Sequence, residues 1–242
     1  MCIIVPNENL KRKREGTDPI ETVNKKSDDQ FIKDHLCPSD SYPTSWTHPV
    51  TRKIYSISLV GAPNMLPADL QACYDLVEES SRADYEASPS TGWKPAKKMA
   101  EMKSRELRYT MVKDAEEGAT GTVEGFTSIM PTYEEGEPVL YLYEIHLKPE
   151  LQGTGLGKLL MSFSETVAAN TPPIRKVMLT CFLSNEKAMS FYRRNGFTTD
   201  PISPRPKKLR YGRKYIPDYA IMSKRVGSSV KSSTEVESKG AD

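Results

Sequence analysis

The sequence predicts an α/β domain over residues 51–226, with polar stretches on either side of it. Three observations carry that prediction. Strand-like and helix-like segments follow one another in the order β-α-α-β-β-β-α-β-α-β. Residues 139–182 read as one strand–helix–strand crossover, right-handed by the rule that governs such units. Between its first strand and its helix lies a glycine-bearing turn, Gln152-Gly153-Thr154-Gly155-Leu156-Gly157-Lys158. A chain of 242 residues is long enough for one domain with a sizeable core, while a hydrophobic content of 37% leaves part of it unpacked.

Met1 to Asp18 is polar and basic. Ile20, Val23, Phe31, Ile32 and Leu36 suggest a helix docked on the body, and the Pro/Ser/Thr-rich run Pro38 to Pro49 reads as a connector. Residues 1–50 are thus expected to form a basic tail, a docked helix and a linker. In Ile54 to Val60, Tyr55, Ile57 and Leu59 alternate with Ser56 and Ser58, the period of a half-buried strand. Leu66, Leu70, Cys73 and Val77 recur at helical spacing, with Pro67 and Asp69 at the start. A loop with Gly92-Trp93 follows Tyr85, then a short helix over Lys94 to Lys103. Leu107 to Val112 and Gly121 to Met130 read as strands joined by the turn at Asp114 to Gly118.

Val139 to Leu147 is apolar on both faces, as a central strand is. Leu156, Leu159, Leu160, Phe163 and Val167 make the stripe of the next helix, which stops before Pro172-Pro173. Val177 to Phe182 is a second two-sided apolar strand. Asn185 to Arg194 is a helix closed by Gly196, and Tyr219 to Met222 a last strand. Residues 227–242, rich in Ser, Glu and Lys, are expected to be disordered.

With 34 basic and 32 acidic side chains the net charge is +2, too small for a general polyanion binder, so direct nucleic-acid binding is not expected. The middle of the chain is acidic from Asp114 to Glu144, and Arg205 to Lys214 is basic. An acidic surface beside a site would attract a cationic substrate; a solvated face explains the same residues equally well. Cys2, Cys37, Cys73 and Cys181 form no C-x-x-C pair, and His35, His48 and His146 are scattered, so no metal site is expected. No stretch suits a signal peptide or a membrane span, which gives an intracellular expectation with reduced thiols. Lys11 to Arg14 fits a nuclear address or simple solvation.

The turn at Gln152 to Lys158 carries most of the functional information. A strand that turns on glycines into a helix leaves backbone N–H groups unpaired at the positive helix end, where a phosphate can accept them. It is not a nucleotide P-loop, because Lys158 is followed by Leu159 rather than Ser or Thr. It is not a dinucleotide fingerprint either, since Lys176 to Thr180 offers no acidic residue at the required distance. The pattern Gln-x-x-Gly-x-Gly between strand and helix resembles the acetyl-CoA loop of the GCN5-related N-acetyltransferase superfamily, and the order of elements over Ile54 to Arg225 matches it. That resemblance implies a mixed, mostly antiparallel twisted sheet with splayed central strands flanked by helices.

It also implies acetyl-CoA as cosubstrate and CoA as product. The pyrophosphate would meet the amides of Gln152, Gly153, Thr154, Gly155, Leu156, Gly157 and Lys158, and the pantetheine arm would pair with the backbone of Ile145, His146 and Leu147. Asn185 and Tyr192 stand where family members reach the pantetheine and the sulfur, although an N-cap and a core aromatic read equally well there.

Acetyl transfer needs a neutral amine, a proton acceptor and a stabilised oxyanion. Glu144, a carboxylate inside an apolar strand, is the leading acceptor, directly or through a water, with Tyr141 and Tyr143 beside it. Strict alternation sets both tyrosines opposite Glu144, so a β-bulge is expected in this strand. An α-amine, with a pKa of about 8 against about 10.4 for lysine, demands less of such a base.

A narrower likeness appears in Val139-Leu140-Tyr141-Leu142-Tyr143-Glu144-Ile145, Gly155-Leu156-Gly157-Lys158, Lys176-Val177-Met178-Leu179-Thr180, Tyr85-Glu86, Gly92-Trp93-Lys94 and Tyr219. Together these are similar to the N-terminal acetyltransferase D family. The likeness implies acetylation of the N-terminal serine amine of core histones that begin Ser-Gly-Arg-Gly. It places Tyr85, Trp93, Tyr141, Tyr143, Thr180 and Tyr219 around the peptide, with Glu144 and Tyr143 catalytic. Where the family carries an Asp, this chain has Thr132, and Glu134 or Glu135 is expected to replace it. Ser90 and Thr91 stand where a further aromatic is expected. The implied partner is a histone tail peptide, the ribosome stays an open candidate, no membrane is involved, and a monomer in cytoplasm and nucleus is expected. The competing readings are a lysine or small-amine acetyltransferase of the same superfamily, an acyl-CoA-binding regulator, and a chromatin-binding module.

Overall fold

The computed structural model describes residues 18–37, 42–118, 121–208, 210 and 214–227. The basic run at Lys11 to Arg14, part of the predicted connector and the polar stretch after residue 227 lie outside them. Eight strands form one sheet. In spatial order they are β1 (Ser45–Thr47), β2 (Ile54–Gly61), β3 (Arg108–Asp114), β4 (Val123–Glu134), β5 (Glu137–Leu147), β6 (Lys176–Phe182), β10 (Tyr219–Arg225) and β7 (Thr198–Thr199). β8 (Lys207–Lys208) and β9 (Lys214–Tyr215) make a separate hairpin. Every neighbouring pair in the large sheet is antiparallel except β5–β6, which is parallel and registers only through Leu140–Val177 and Tyr141–Met178. Beyond those residues the two strands run on without pairing to each other, so they splay apart.

α3 (Pro67–Ala87) and α4 (Pro95–Met102) cover one face, where Cys73, Val77 and Met102 pack with Tyr109, Phe126 and Tyr141. α5 (Leu156–Ala169), the crossover between β5 and β6, covers the other with α6 (Glu186–Arg194). There Leu160, Val167, Met189 and Tyr192 meet Leu140 and Leu142. Each face buries its own apolar side chains, which is why β5 and β6 read as two-sided apolar strands.

The predicted N-terminal helix is two short ones, because two cap residues compete for the start. Asp18 accepts Ile20 N at 2.8 Å and opens α1 (Pro19–Asn24). Ser27 accepts Gln30 N at 3.3 Å and opens α2 (Asp28–Phe31), which widens into a π-helical turn over Ile32–Leu36. Ile20, Val23, Phe31 and Leu36 are buried in the same core as α5. The connector also contributes β1, whose Trp46 pairs with Tyr55. Described residues ahead of position 51 thus pack on the core and pair with β2.

β5 is bulged. Ser128 of β4 pairs with Glu144, but the next residue, Ile129, pairs with Leu142, so Tyr143 is an extra residue. The alternation resets at that point. Val139, Tyr141 and Tyr143 face α3 and α4, and Glu144 and His146 follow them onto that face, whereas Leu140, Leu142, Ile145 and Leu147 face α5. The bulge that the tyrosine–glutamate conflict demanded is present.

Candidate active site

A cleft of about 1360 Å³ opens where β5 and β6 part. Its walls are the end of β5 at Ile145, His146 and Leu147, the loop at Gln152 to Lys158, α6, and the α3 residues from Leu76 to Asp84 that face them. The loop is held in shape from within. Gln152 Nε2 donates to Leu147 O at 3.0 Å, and Thr154 Oγ1 donates to Leu151 O at 2.6 Å. Gly153 and Gly155 have φ of 73° and 92°, a region that strains any side chain. Gly155 is the residue from which α5 starts, so the amides of Leu156, Gly157 and Lys158 open the helix without intrahelical acceptors. The Leu156 side chain is buried in the core, so only its backbone can serve a ligand.

Asn185 and Tyr192 both line the cleft and both have structural duties. Asn185 caps α6 by accepting Ala188 N at 3.0 Å and donates to Asp84 at 3.2 Å. Tyr192 is fully buried in the core beside Phe197.

A chain of charged and polar side chains runs behind this wall. Glu144, with a side chain 2% exposed, takes Lys98 Nζ on Oε1 at 2.9 Å and His146 Nε2 on Oε2 at 2.6 Å. Because Nε2 faces a carboxylate it carries a proton, and His146 Nδ1 lies 2.7 Å from Ser80 Oγ, whose hydroxyl donates to Leu76 O at 2.6 Å. Burial holds the imidazole below its usual pKa, in keeping with a neutral ring. Burial opposes ionisation of Glu144 too, but the charge of Lys98 and the His146 bond outweigh it and lower its pKa to about 2. Lys98 also donates to Glu101 at 2.6 Å and lies over the ring of Tyr85 at 5.0 Å. Both oxygens of Glu144, the proton acceptor expected from the sequence, hold donors from within the protein.

The aromatic residues gather beside this chain. Tyr85 packs against Trp93 and Phe182, with ring centroids 5.3 and 5.0 Å away, and Tyr219 joins the cluster. Trp93 Nε1 donates to Glu78 at 3.2 Å. Tyr141 and Tyr143 lie 5.1 Å apart, and Tyr141 reaches Thr180 at 2.5 Å. Glu134 is separate. It sits at the β4–β5 hairpin opposite Glu137, about 20 Å along the strand from Glu144. Glu135, in the hairpin turn itself with φ of 48°, is no nearer. Lys98, Glu101 and Ser80 had no signal in the sequence, because charged and hydroxyl residues on amphipathic helices are ordinary.

The profile of the Acetyltransferase (GNAT) family matches residues 70–197. N-alpha-acetyltransferase 40 of Saccharomyces cerevisiae is 33% identical over 160 residues, which cover 57% of this chain and 54% of the yeast protein. The chain thus spans about half the length of that curated relative. An acetyltransferase of Streptococcus agalactiae has a similar fold, with a TM-score of 0.50 at 15% identity over 70% of this chain and 98% of that one.

Proposed function

Because this chain belongs to the acetyltransferase (GNAT) family, we propose that it is an N-alpha-acetyltransferase acting on the N-terminal serine of histone tails that begin Ser-Gly-Arg-Gly, with acetyl-CoA as donor. The observation that carries this reading is the bulge at Tyr143, which turns Glu144 and the tyrosines to one face beside the cleft. The likeness to the yeast N-alpha-acetyltransferase supports the choice of an α-amine.

The residues present suit the donor. Gly153 and Gly155 keep the loop free of side chains, and the unpaired amides at the start of α5 suit a pyrophosphate. The edge of β5 that faces away from β4 at Ile145 to Leu147, past the point where β5 and β6 stop pairing, can take an extended amide-bearing arm. Bound there, the donor supplies an activated acetyl group. The chain supplies the surroundings: Tyr85, Trp93 and Tyr219 restrict bulk next to the serine, and Tyr141, Tyr143 and Thr180 hold the amine or an intervening water. Glu144 keeps a fixed negative charge that draws a cationic peptide end. Glu134, on the same face at the far end of the hairpin, would meet residues farther along an extended tail.

The test is mass spectrometry of a Ser-Gly-Arg-Gly peptide incubated with protein and acetyl-CoA, beside a copy whose N-terminus is blocked. Acetylation is expected on the serine α-amine alone. Equal acetylation of the blocked peptide, on a lysine, would establish the competing lysine reading.

A further inference from the structure

We propose that His146 is a positioning residue for acetyl transfer, whose Nε2–H holds the Glu144 carboxylate in the orientation that meets the substrate's amine or an intervening water. This rests on the acetyl-transfer reading and takes Glu144 as the proton acceptor expected from the sequence. The bulge at Tyr143 sets up the pair. Glu144 and His146 lie two residues apart beyond it, so both side chains turn to the α3 and α4 face, and Nε2 comes within 2.6 Å of Glu144 Oε2.

The ring is held on its other sides as well. Phe126 of β4 stacks on it, with centroids 5.5 Å apart and planes 28° from parallel. Ser80 of α3 stands 2.7 Å from Nδ1 and is itself tied to Leu76 O at 2.6 Å. A buried imidazole enclosed in this way cannot swing, so its N–H points along one line. Glu144 is gripped at three atoms: Thr127 Oγ1 donates to its backbone carbonyl at 2.8 Å, Lys98 to Oε1 and His146 to Oε2.

The two side-chain donors are not equivalent. Lys98 Nζ is a point charge on a flexible stem, and it divides itself between Glu144 and Glu101. It attracts the carboxylate without setting its plane. The imidazole N–H is one directional donor on a ring that cannot turn, and it sets that plane. A carboxylate has two lone pairs on each oxygen, so with one donor apiece both oxygens of Glu144 keep a lone pair for an incoming proton. Because Nε2 already carries a proton, the ring takes none from Glu144 across this bond; it orients and does not relay. His146 also lines the cleft, as does Ser80, so the orienting bond is made by the cleft wall itself.

Steady-state kinetics with acetyl-CoA and the Ser-Gly-Arg-Gly peptide test the assignment. His146→Leu fills the space without a donor and should lower kcat on the order of 100-fold, the scale of a misplaced reacting group. Acetyl-CoA affinity by calorimetry and KM for the peptide should stay near wild type. His146→Gln, whose amide N–H can reach Glu144 from the same backbone position, should recover most of the rate. Lys98 and Glu101 of α4, Tyr85 of α3 and Tyr109 of β3, the titratable groups around the pair, are unchanged in that variant. Wild type and His146→Gln should therefore share one profile of kcat against pH. Ser80→Ala loosens the ring without touching Glu144 and should lower kcat about threefold to tenfold, the worth of one hydrogen bond; where His146→Leu does not fold, a wild-type kcat in Ser80→Ala overturns the proposal. So does a His146→Leu enzyme at the wild-type rate, or one whose loss is a loss of acetyl-CoA binding. A His146→Gln enzyme as slow as His146→Leu overturns it too, since the ring would then act by titrating. Wild-type protein that leaves the peptide unmodified fails the substrate reading, before any variant is compared.

Discussion

Glu144 is ionised inside the protein because its neighbours offset the cost of burying it: an ammonium on one oxygen and an imidazole N–H on the other. Its folded-state pKa, about 2, lies below the ordinary 4.5. Protons therefore bind the unfolded chain more readily, and the stability linked to this group is complete above about pH 4.5 and lost as pH falls toward 2. Melting temperatures taken between about pH 5 and pH 2 should fall steeply for wild type. Glu144→Gln, with nothing to protonate, should show a shallower acid dependence and a lower plateau near neutrality; equal slopes would mean the ion pair is not linked to folding. Glu144 was legible in the sequence because a carboxylate amid Tyr, Leu and Ile in a two-sided strand has no cheap explanation. Its partners were not, since nothing in Pro95 to Met102 distinguishes Lys98, which turns inward, from Lys97 one residue before it.

At the scale of elements, two local backbone features build the site: the extra residue at Tyr143 and the left-handed glycines of the loop. The bulge could be demanded from the sequence but not located in it, because an extra residue exists only relative to the partner strand β4. The glycine turn between β5 and α5 was legible, since its glycines answer to backbone conformation and not to distant packing. β1 and the two-residue strands β7, β8 and β9 were missed for a physical reason. They are too short to display a period, and their pairing comes from neighbours already in place. Gly155 offers the sharper test. A methyl group there would find open space, with no atom within 4 Å, but the backbone at φ of 92° would be strained. Gly155→Ala should therefore cost about 1–2 kcal/mol. Because the loop is easier to reshape than the core, we expect the cost as acetyl-CoA affinity weakened about five- to thirtyfold by calorimetry, with little change in melting. A variant that melts early but binds normally would place the strain in folding.

For the whole molecule, a buried cation is one of the groups that fasten the N-terminal helices to the sheet. Arg108 of β3, its side chain 5% exposed, donates to Asp28 at 2.7 Å and to the carbonyl of Lys26 at 2.6 Å, and stacks 4.2 Å from the Phe31 ring. Composition hinted that these helices dock, through Ile20, Val23, Phe31 and Leu36; the arginine that holds them was one basic residue among many. The two partners should respond unequally to removal. Asp28→Ala strands a buried guanidinium, for which roughly 3–5 kcal/mol is the usual loss. Arg108→Met removes the charge and refills its volume, while Asp28 keeps Gly61 N at 2.9 Å and Asn64 Nδ2 at 2.8 Å, so its loss should be smaller. In urea titrations Asp28→Ala should thus unfold earlier than Arg108→Met, and the double variant should recover part of the difference. The reverse order would mean that stacking on Phe31, rather than charge pairing, holds the N-terminal helices to the sheet.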